Sequence, residues 1–219
     1  MFITFEGPDG SGKSTQAKLL SDHLERKGTS VLLTREPGGT ELGRTIRQIL
    51  LNPESEISPM AEVLLYACDR AEHVNSVIKP ALLEGKTVIC DRYFDSNVAY
   101  QGGLLVDFDK ILEINKHATL GIIPDLTVLL DIDPKLGISR AVKNFHENNE
   151  EVKTNYELVK SFGDRIERRD LEFHQRVRTN YISLAKTYTD RFRVIEVGEK
   201  DVQTIHNEIL RKLELEFID

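Results

Sequence analysis

Met1-Phe2-Ile3-Thr4-Phe5-Glu6-Gly7-Pro8-Asp9-Gly10-Ser11-Gly12-Lys13-Ser14 opens the chain, and its reading decides the fold. Phe2 to Phe5 is short, apolar and β-prone. Gly7 to Ser14 then fits the pattern Gly-x4-Gly-Lys-Ser/Thr, and a helical pattern follows at once from Lys13 to Arg26. Strand, glycine-rich loop and helix in that order form the context a phosphate-binding loop requires. Glycines let successive backbone N–H groups point inward as a nest for phosphate oxygens, and the helix adds the positive end of its dipole. In such a loop Lys13 reaches the β- and γ-phosphates and the Ser14 hydroxyl ligates Mg²⁺. A chance match in a chain of this length arises on the order of 1% of the time, and the strand–loop–helix setting lowers that further. A nucleotide-binding α/β fold is therefore expected. Gly7, Pro8, Asp9, Gly10, Ser11, Gly12, Lys13, Ser14 and Thr15 are candidate nucleotide-binding residues.

Outward from the loop, strand and helix patterns alternate to the end. Strand candidates are Val31–Thr34, Thr87–Cys90, Leu126–Ile132 and Arg193–Val197. Helix candidates are Glu41–Leu51, a long stretch from Met60 towards Leu83 that Pro80 is expected to kink, Phe108–Ala118, Pro134 to about Val142, Arg168–Tyr188 and Val202–Leu213. The Leu126–Ile132 run is almost wholly apolar, as a strand covered on both faces must be. The alternation implies a parallel sheet with helices on both sides, in one domain spanning residues 1–219. Residues 144–164 break the pattern with Asn, Glu and Lys, and read as a polar insert at about 143–166.

Composition bounds the partners. The 29 basic and 36 acidic residues give a net charge of −7, with 40% hydrophobic and 30% charged residues. That field argues against a nucleic-acid or anionic-membrane binder, yet a few converging cations suffice for one phosphorylated small molecule. No apolar run approaches the ~20 residues of a membrane span, and the start shows no signal-peptide succession, so a cytoplasmic location is expected. Cys68 and Cys90 make no disulfide framework and read as reduced thiols packed inside. Asn115-Lys116-His117-Ala118 lacks the Asp of the guanine-reading Asn-Lys-x-Asp tetrad, which disfavours a GTPase.

Further polar segments fall at the ends of predicted strands, where open α/β sheets bind ligands. Arg35-Glu36-Pro37-Gly38-Gly39 follows the second strand. Asp91-Arg92-Tyr93 ends the third and leads into Asn97-Val98-Ala99-Tyr100-Gln101-Gly102. Tyr66 and Arg70 stand four apart and share a helix face. Together with Asp164-Arg165-Ile166-Glu167, these segments resemble the thymidylate kinase family from Phe2 to the final helix. The resemblance implies a three-layer P-loop NTPase fold with strand order 2-3-1-4-5, a homodimer, ATP with Mg²⁺, and phosphorylation of dTMP to dTDP.

Residue roles follow from the same resemblance. Asp9 is similar to the carboxylate on the sugar 3′-hydroxyl, and Arg35 and Arg70 to the arginines that position the acceptor phosphate. Tyr66 takes the place of the ring that stacks on thymine. Asn97 and Gln101 resemble the readers of the base edge, and Tyr100 the ring that crowds out a 2′-hydroxyl. Arg92 resembles the bridge between donor and acceptor phosphates, Asp91 the carboxylate near Mg²⁺, and Arg140 the arginine packed on adenine. The loop positions Pro8, Asp9, Gly10 and Ser11 carry no cation. A catalytic cation is therefore expected from a mobile lid in the polar insert: Arg165, or else Lys143, Lys153 or Lys160. Kinases for other nucleoside monophosphates and a non-catalytic nucleotide sensor stay open as alternatives.

Overall fold

The computed structural model describes residues 1–103, 106–145 and 163–214. A five-stranded parallel sheet has the order β2-β3-β1-β4-β5, the order the resemblance implies. The strands are β1 (Phe2–Glu6), β2 (Val31–Arg35), β3 (Thr87–Asp91), β4 (Leu126–Asp131) and β5 (Phe192–Glu196). The helices are α1 (Lys13–Arg26), α2 (Glu41–Leu51), α3 (Pro59–His73), α4 (Lys79–Leu83), α5 (Phe94–Gln101), α6 (Phe108–Ala118), α7 (Pro134–Phe145), α8 (Leu171–Thr187) and α9 (Val202–Glu214).

β1 lies at the centre, and its period-two alternation feeds two cores. Ile3 and Phe5 pack under α1 and α9 with Leu20, Leu24, Ile205 and Ile209. Phe2 faces the other layer with Val74, Ile78, Val88, Cys90 and Tyr93. Burial of such side chains stabilises the fold by about 1.5–3 kcal/mol each. β3 is buried along its whole length, while the edge strand β2 is half exposed.

The winding changes earlier than Pro80 suggests. α3 ends at His73, Val74–Ile78 forms a π-helical turn, and α4 begins with Pro80 in its first turn. Proline has no N–H to donate and its ring crowds the carbonyl four residues back, so the widened turn stands just upstream. The helix α5 is an element the sequence did not announce. Cys90 is buried as expected, whereas Cys68 is exposed on α3, which corrects its expected place in the interior. Lys153 and Lys160 lie outside the described residues, with most of the expected lid. Among the described residues, no helix is long and apolar enough to cross a membrane.

Candidate active site

The carboxyl ends of the strands open into a cleft of about 450 Å³. Its wall carries Asp9, Gly10, Gly12, Lys13, Ser14 and Thr15 from the loop between β1 and α1. Arg35 ends β2, Asp91 ends β3, Arg92 follows it, and Tyr66, Asn97, Tyr100 and Gln101 come from α3 and α5. Gly7, Pro8 and Ser11 stand behind this wall, where their carbonyl or hydroxyl oxygens hold the cations in place.

The loop needs its glycines for close approach. A Cβ on Gly10, whose φ is +73°, would lie 1.9 Å from the carbonyl oxygen of Gly137 on α7. Lys13 Nζ donates to the Pro8 carbonyl at 2.8 Å. Burial, with Arg92 nearby, pushes the Lys13 ammonium down to about 8 despite the carboxylates of Asp9 and Asp91. The Ser14 hydroxyl donates to Asp91 Oδ2. These two hard oxygen donors at the cleft are the chemistry a Mg²⁺ ion takes, alongside phosphate oxygens and water.

Arg92 is the centre of the site. Its φ of +71° is a left-handed conformation that costs a non-glycine residue free energy, held here by its side-chain contacts. Nη1 donates to the Gly7 carbonyl and to Ser96 Oγ, each at 3.1 Å, and Nη2 donates to Tyr100 at 3.1 Å and to Asp9 Oδ1. Tyr100 also donates to Asp9 Oδ2 at 2.9 Å. Burial acts to raise the Asp9 carboxyl, but Arg92 and Lys13 outweigh it and hold it below the usual range. Beneath them Glu6 is completely buried and accepts from the Tyr93 N–H at 2.7 Å, Ser96 at 2.6 Å and Tyr181 at 2.9 Å. Burial, with Asp95 close by, pushes Glu6 up to about 7.

Two arginines sit differently from the sequence expectation. Arg70 is 1% exposed and lies behind the cleft, not on its wall beside Arg35. Its Nε donates to Glu36 Oε2 at 2.8 Å, and Nη1 donates to Asn115 and Asn97. Arg165 is turned away as well: Nε donates to the Leu50 carbonyl at 2.7 Å and Nη2 lies 2.6 Å from Glu62 Oε2. The Asp164-Arg165-Ile166-Glu167 segment is held as a folded turn whose Asp164, Ile166 and Glu167 line the cleft. Asp164 Oδ1 accepts from the Glu167 N–H at 2.9 Å and Glu167 Oε2 accepts from the Asp164 N–H at 3.0 Å, a reciprocal capping box. Ile166 packs into the core formed with Phe173 and Val177. Arg140 Nη2 donates to the Gly198 carbonyl at 2.7 Å, tying α7 to the loop after β5.

Arg47, on α2, lines the cleft and was not singled out in the sequence. It donates to the Pro37 carbonyl at 3.2 Å, and burial together with the nearby Arg35 charge lowers its affinity for a proton. Among the described residues, neither Arg35 nor Arg47 makes a salt bridge to a carboxylate, although Asp164 lines the same cleft and its charge favours that of Arg47. Two like charges turned into one cavity describe a place for an anion.

Phosphate nest, cations and buried amides thus share one cleft at the end of a 2-3-1-4-5 sheet. The family model described as thymidylate kinase matches residues 5–209. The chain belongs to the thymidylate kinase family. A thymidylate kinase from Carboxydothermus hydrogenoformans is 47% identical over 97% of this chain and 96% of its own length. One from Gloeobacter violaceus is 48% identical over 90% of this chain and 87% of its own. The crystal structure of thymidylate kinase from Ehrlichia chaffeensis is 34% identical, with a TM-score of 0.73 over 97% of this chain and 98% of that one. Membership of the thymidylate kinase family brings the activity with it: phosphorylation of dTMP, EC 2.7.4.9.

Proposed function

We propose that the cleft transfers the γ-phosphoryl group of ATP directly to the phosphate of dTMP, with Lys13 and Arg92 on the donor side and Arg35 and Arg47 at the acceptor. The observation that supports this division of labour is the pair of arginines, Arg35 and Arg47, set close enough to disfavour each other's charge in the same cleft as the phosphate loop. The acceptor is already an anion, so little covalent help is needed. The barrier lies in bringing anions together and stabilising spread charge, and positioning and fixed cations lower it.

Arg92, fastened by Asp9 and Tyr100, keeps its guanidinium in place between the two phosphates. Asp9 stays ionised beside it and is free to accept a sugar hydroxyl. Ser14 and Asp91 would hold Mg²⁺, which neutralises the β- and γ-phosphate oxygens when bound. Tyr66 offers a ring for the base, and Asn97 and Gln101 offer its polar edge. Arg165 is engaged elsewhere, so this mechanism assigns it no catalytic step. Arg140 is kept as the adenine-side residue because it joins α7 to the Gly198 loop.

A cytoplasmic, single-domain homodimer is part of the same reading. Leu42 and Ile49 on α2 and Leu64 on α3 are about half exposed on two helices packed together, an apolar face suited to self-association. A coupled assay with Mg²⁺-ATP against dTMP, dUMP, dCMP and UMP tests the assignment. Highest kcat/KM on dTMP is expected, and a preference for UMP would overturn it.

A further inference from the structure

Arg92 needs two things held in place: a left-handed backbone and a guanidinium at the cleft. One buried carboxylate is bonded to the supports of both. Glu6 ends β1, directly before the phosphate loop, and is wholly buried. Its Oε1 accepts at 2.7 Å from the N–H of Tyr93, the residue after Arg92. Its Oε2 accepts from the hydroxyls of Ser96 on α5 at 2.6 Å and Tyr181 on α8 at 2.9 Å. The same two hydroxyl oxygens accept from Arg92 Nη1, at 3.1 Å and 3.3 Å. Carboxylate and guanidinium thus meet through a pair of hydroxyls.

Valence fixes the direction of these bonds. A hydroxyl has one proton, and a guanidinium has only donors. Ser96 and Tyr181 therefore accept from Arg92 only while their own protons point elsewhere. The two hydroxyls lie 2.8 Å apart, so one proton can pass between them, but two protons need two acceptors. Glu6 is the acceptor that lets both oxygens face Arg92. The charges acting on Glu6 are those of Arg92 and Asp95, and Asp95 is itself clamped by Arg191 through two bonds of 2.7 Å.

We propose that Glu6 is a positioning residue for phosphoryl transfer: by taking the Tyr93 N–H and the two hydroxyl protons, it holds Arg92 between donor and acceptor phosphates. The proposal rests on the place given to Arg92 above and adds to it the group that keeps Arg92 there.

Glu6→Gln tests it at pH 8, above the value of about 7 to which the Glu6 carboxyl is raised. The amide keeps the shape but must choose. With its oxygen towards Tyr93, its NH₂ group meets the hydroxyls, and one hydroxyl proton is left without an acceptor beside Arg92. Turned over, its NH₂ group opposes the Tyr93 N–H and the Arg92 turn loses its tie. Either way kcat should fall about 10- to 100-fold, the weight of one hydrogen bond to a charged group. KM for dTMP and for ATP should stay within about threefold, because the bond matters most in the transition state. In an Arg92→Ala background the same substitution should change the residual kcat less than about twofold, since the group it positions is gone. An unchanged kcat, or a fall by the same factor in both backgrounds, would overturn the proposal. Tyr181→Phe removes one hydroxyl and keeps the ring, so kcat should fall about 3- to 10-fold, and an unchanged kcat there also overturns it. Nitrogen-15 NMR of the Arg92 side chain, assigned with Arg92→Lys, supplies a readout free of substrate. Glu6→Gln should move that signal and speed rotation of the guanidinium, and an unmoved signal counts against the proposal as well. Wild-type enzyme inactive on dTMP would instead refute the phosphoryl-transfer reading, with the NMR test of Glu6 still deciding whether it holds Arg92.

Discussion

Gly137→Ala isolates how closely the phosphate loop is seated. Gly137 lies in the first turn of α7 and its φ is not in the left-handed region, so alanine meets no backbone strain there. Its helix propensity even favours the change by about 1 kcal/mol. Space opposes it. A Cβ at Gly137 would lie 2.4 Å from the Asp9 carbonyl oxygen, where ordinary contact begins at 3.4 Å. The loop must retreat by roughly 1 Å, carrying Asp9 away from Arg92, and a displacement of that size at a reacting centre costs about 10²-fold in rate. Overpacking costs about 1–3 kcal/mol, so after the propensity gain the net loss of stability is about 0–2 kcal/mol. The expected result is a folded enzyme, a few degrees lower in Tm, with kcat reduced about 100-fold in an ADP-coupled assay. Gly28→Ala is the matched control. Its φ of +86° makes alanine strained, but nothing lies within 4 Å of the new methyl and the site is remote. It should lose about 1–2 kcal/mol of stability and keep its kcat. A Gly137→Ala enzyme whose kcat and KM for ATP stay within about threefold of wild type would refute the reasoning.

Three further outcomes are expected. Lys13→Ala should lower kcat by at least about 10²–10³-fold with an unchanged far-UV spectrum, and near-normal turnover would remove Lys13 from the donor site. Arg70→Ala leaves Glu36 buried without its guanidinium, so denaturant unfolding should show a loss of about 3–5 kcal/mol, and a loss below about 1 kcal/mol would contradict the pair. Glu6 is raised from an ordinary 4.5 to about 7 by burial. Unfolding lets it ionise earlier than the native state does, so its contribution to stability is complete below pH 4.5 and is lost as pH rises through 7. The loss is about 3 kcal/mol, and it should appear as a growing stability advantage of Glu6→Gln over wild type between pH 5 and 8 in urea titrations. A constant difference across that range would count against it.

What the sequence made legible is what burial and backbone geometry dictate locally. Leu126–Asp131 reads as a covered strand because leucine or valine falls on both of its faces, and Gly7–Ser14 reads as a phosphate loop because its glycines and lysine have fixed offsets. α5 was not legible: its residues from Asn97 to Gln101 are all buried between cleft and core, so no polar stripe marks a helix. Glu6, Glu62 and Asn115 are buried polar groups whose partners lie up to 175 positions away, and no local pattern records such contacts. Asn115 drew notice only as part of an incomplete guanine-reading tetrad, yet its amide holds Asn97. Arg47 sits beside the apolar stripe of α2 and looks like any exposed helical arginine. Nothing but tertiary structure turns it towards Arg35.

Counting charges misled most where it mattered. An acidic chain with a net charge of −7 builds an anion site by using its carboxylates inside. Glu36 holds Arg70, Asp9 holds Arg92 and Glu62 holds Arg165, so three of the arginines the motifs single out are neutralised in place. Such pairs add little net stability over well-packed apolar residues, but each fixes a fork of donors in one orientation. Arg92 then bridges from a fixed seat, Arg70 fixes amide polarity, and Arg165 anchors the chain returning from the polar insert. The attraction for a substrate phosphate falls to the cleft cations that make no salt bridge among the described residues, Arg35 and Arg47, and to Lys13, whose ammonium is lowered mainly by burial. An arginine's role at this cleft is thus set by whether a carboxylate has reached it first. That property belongs to the folded arrangement and to no count of basic residues.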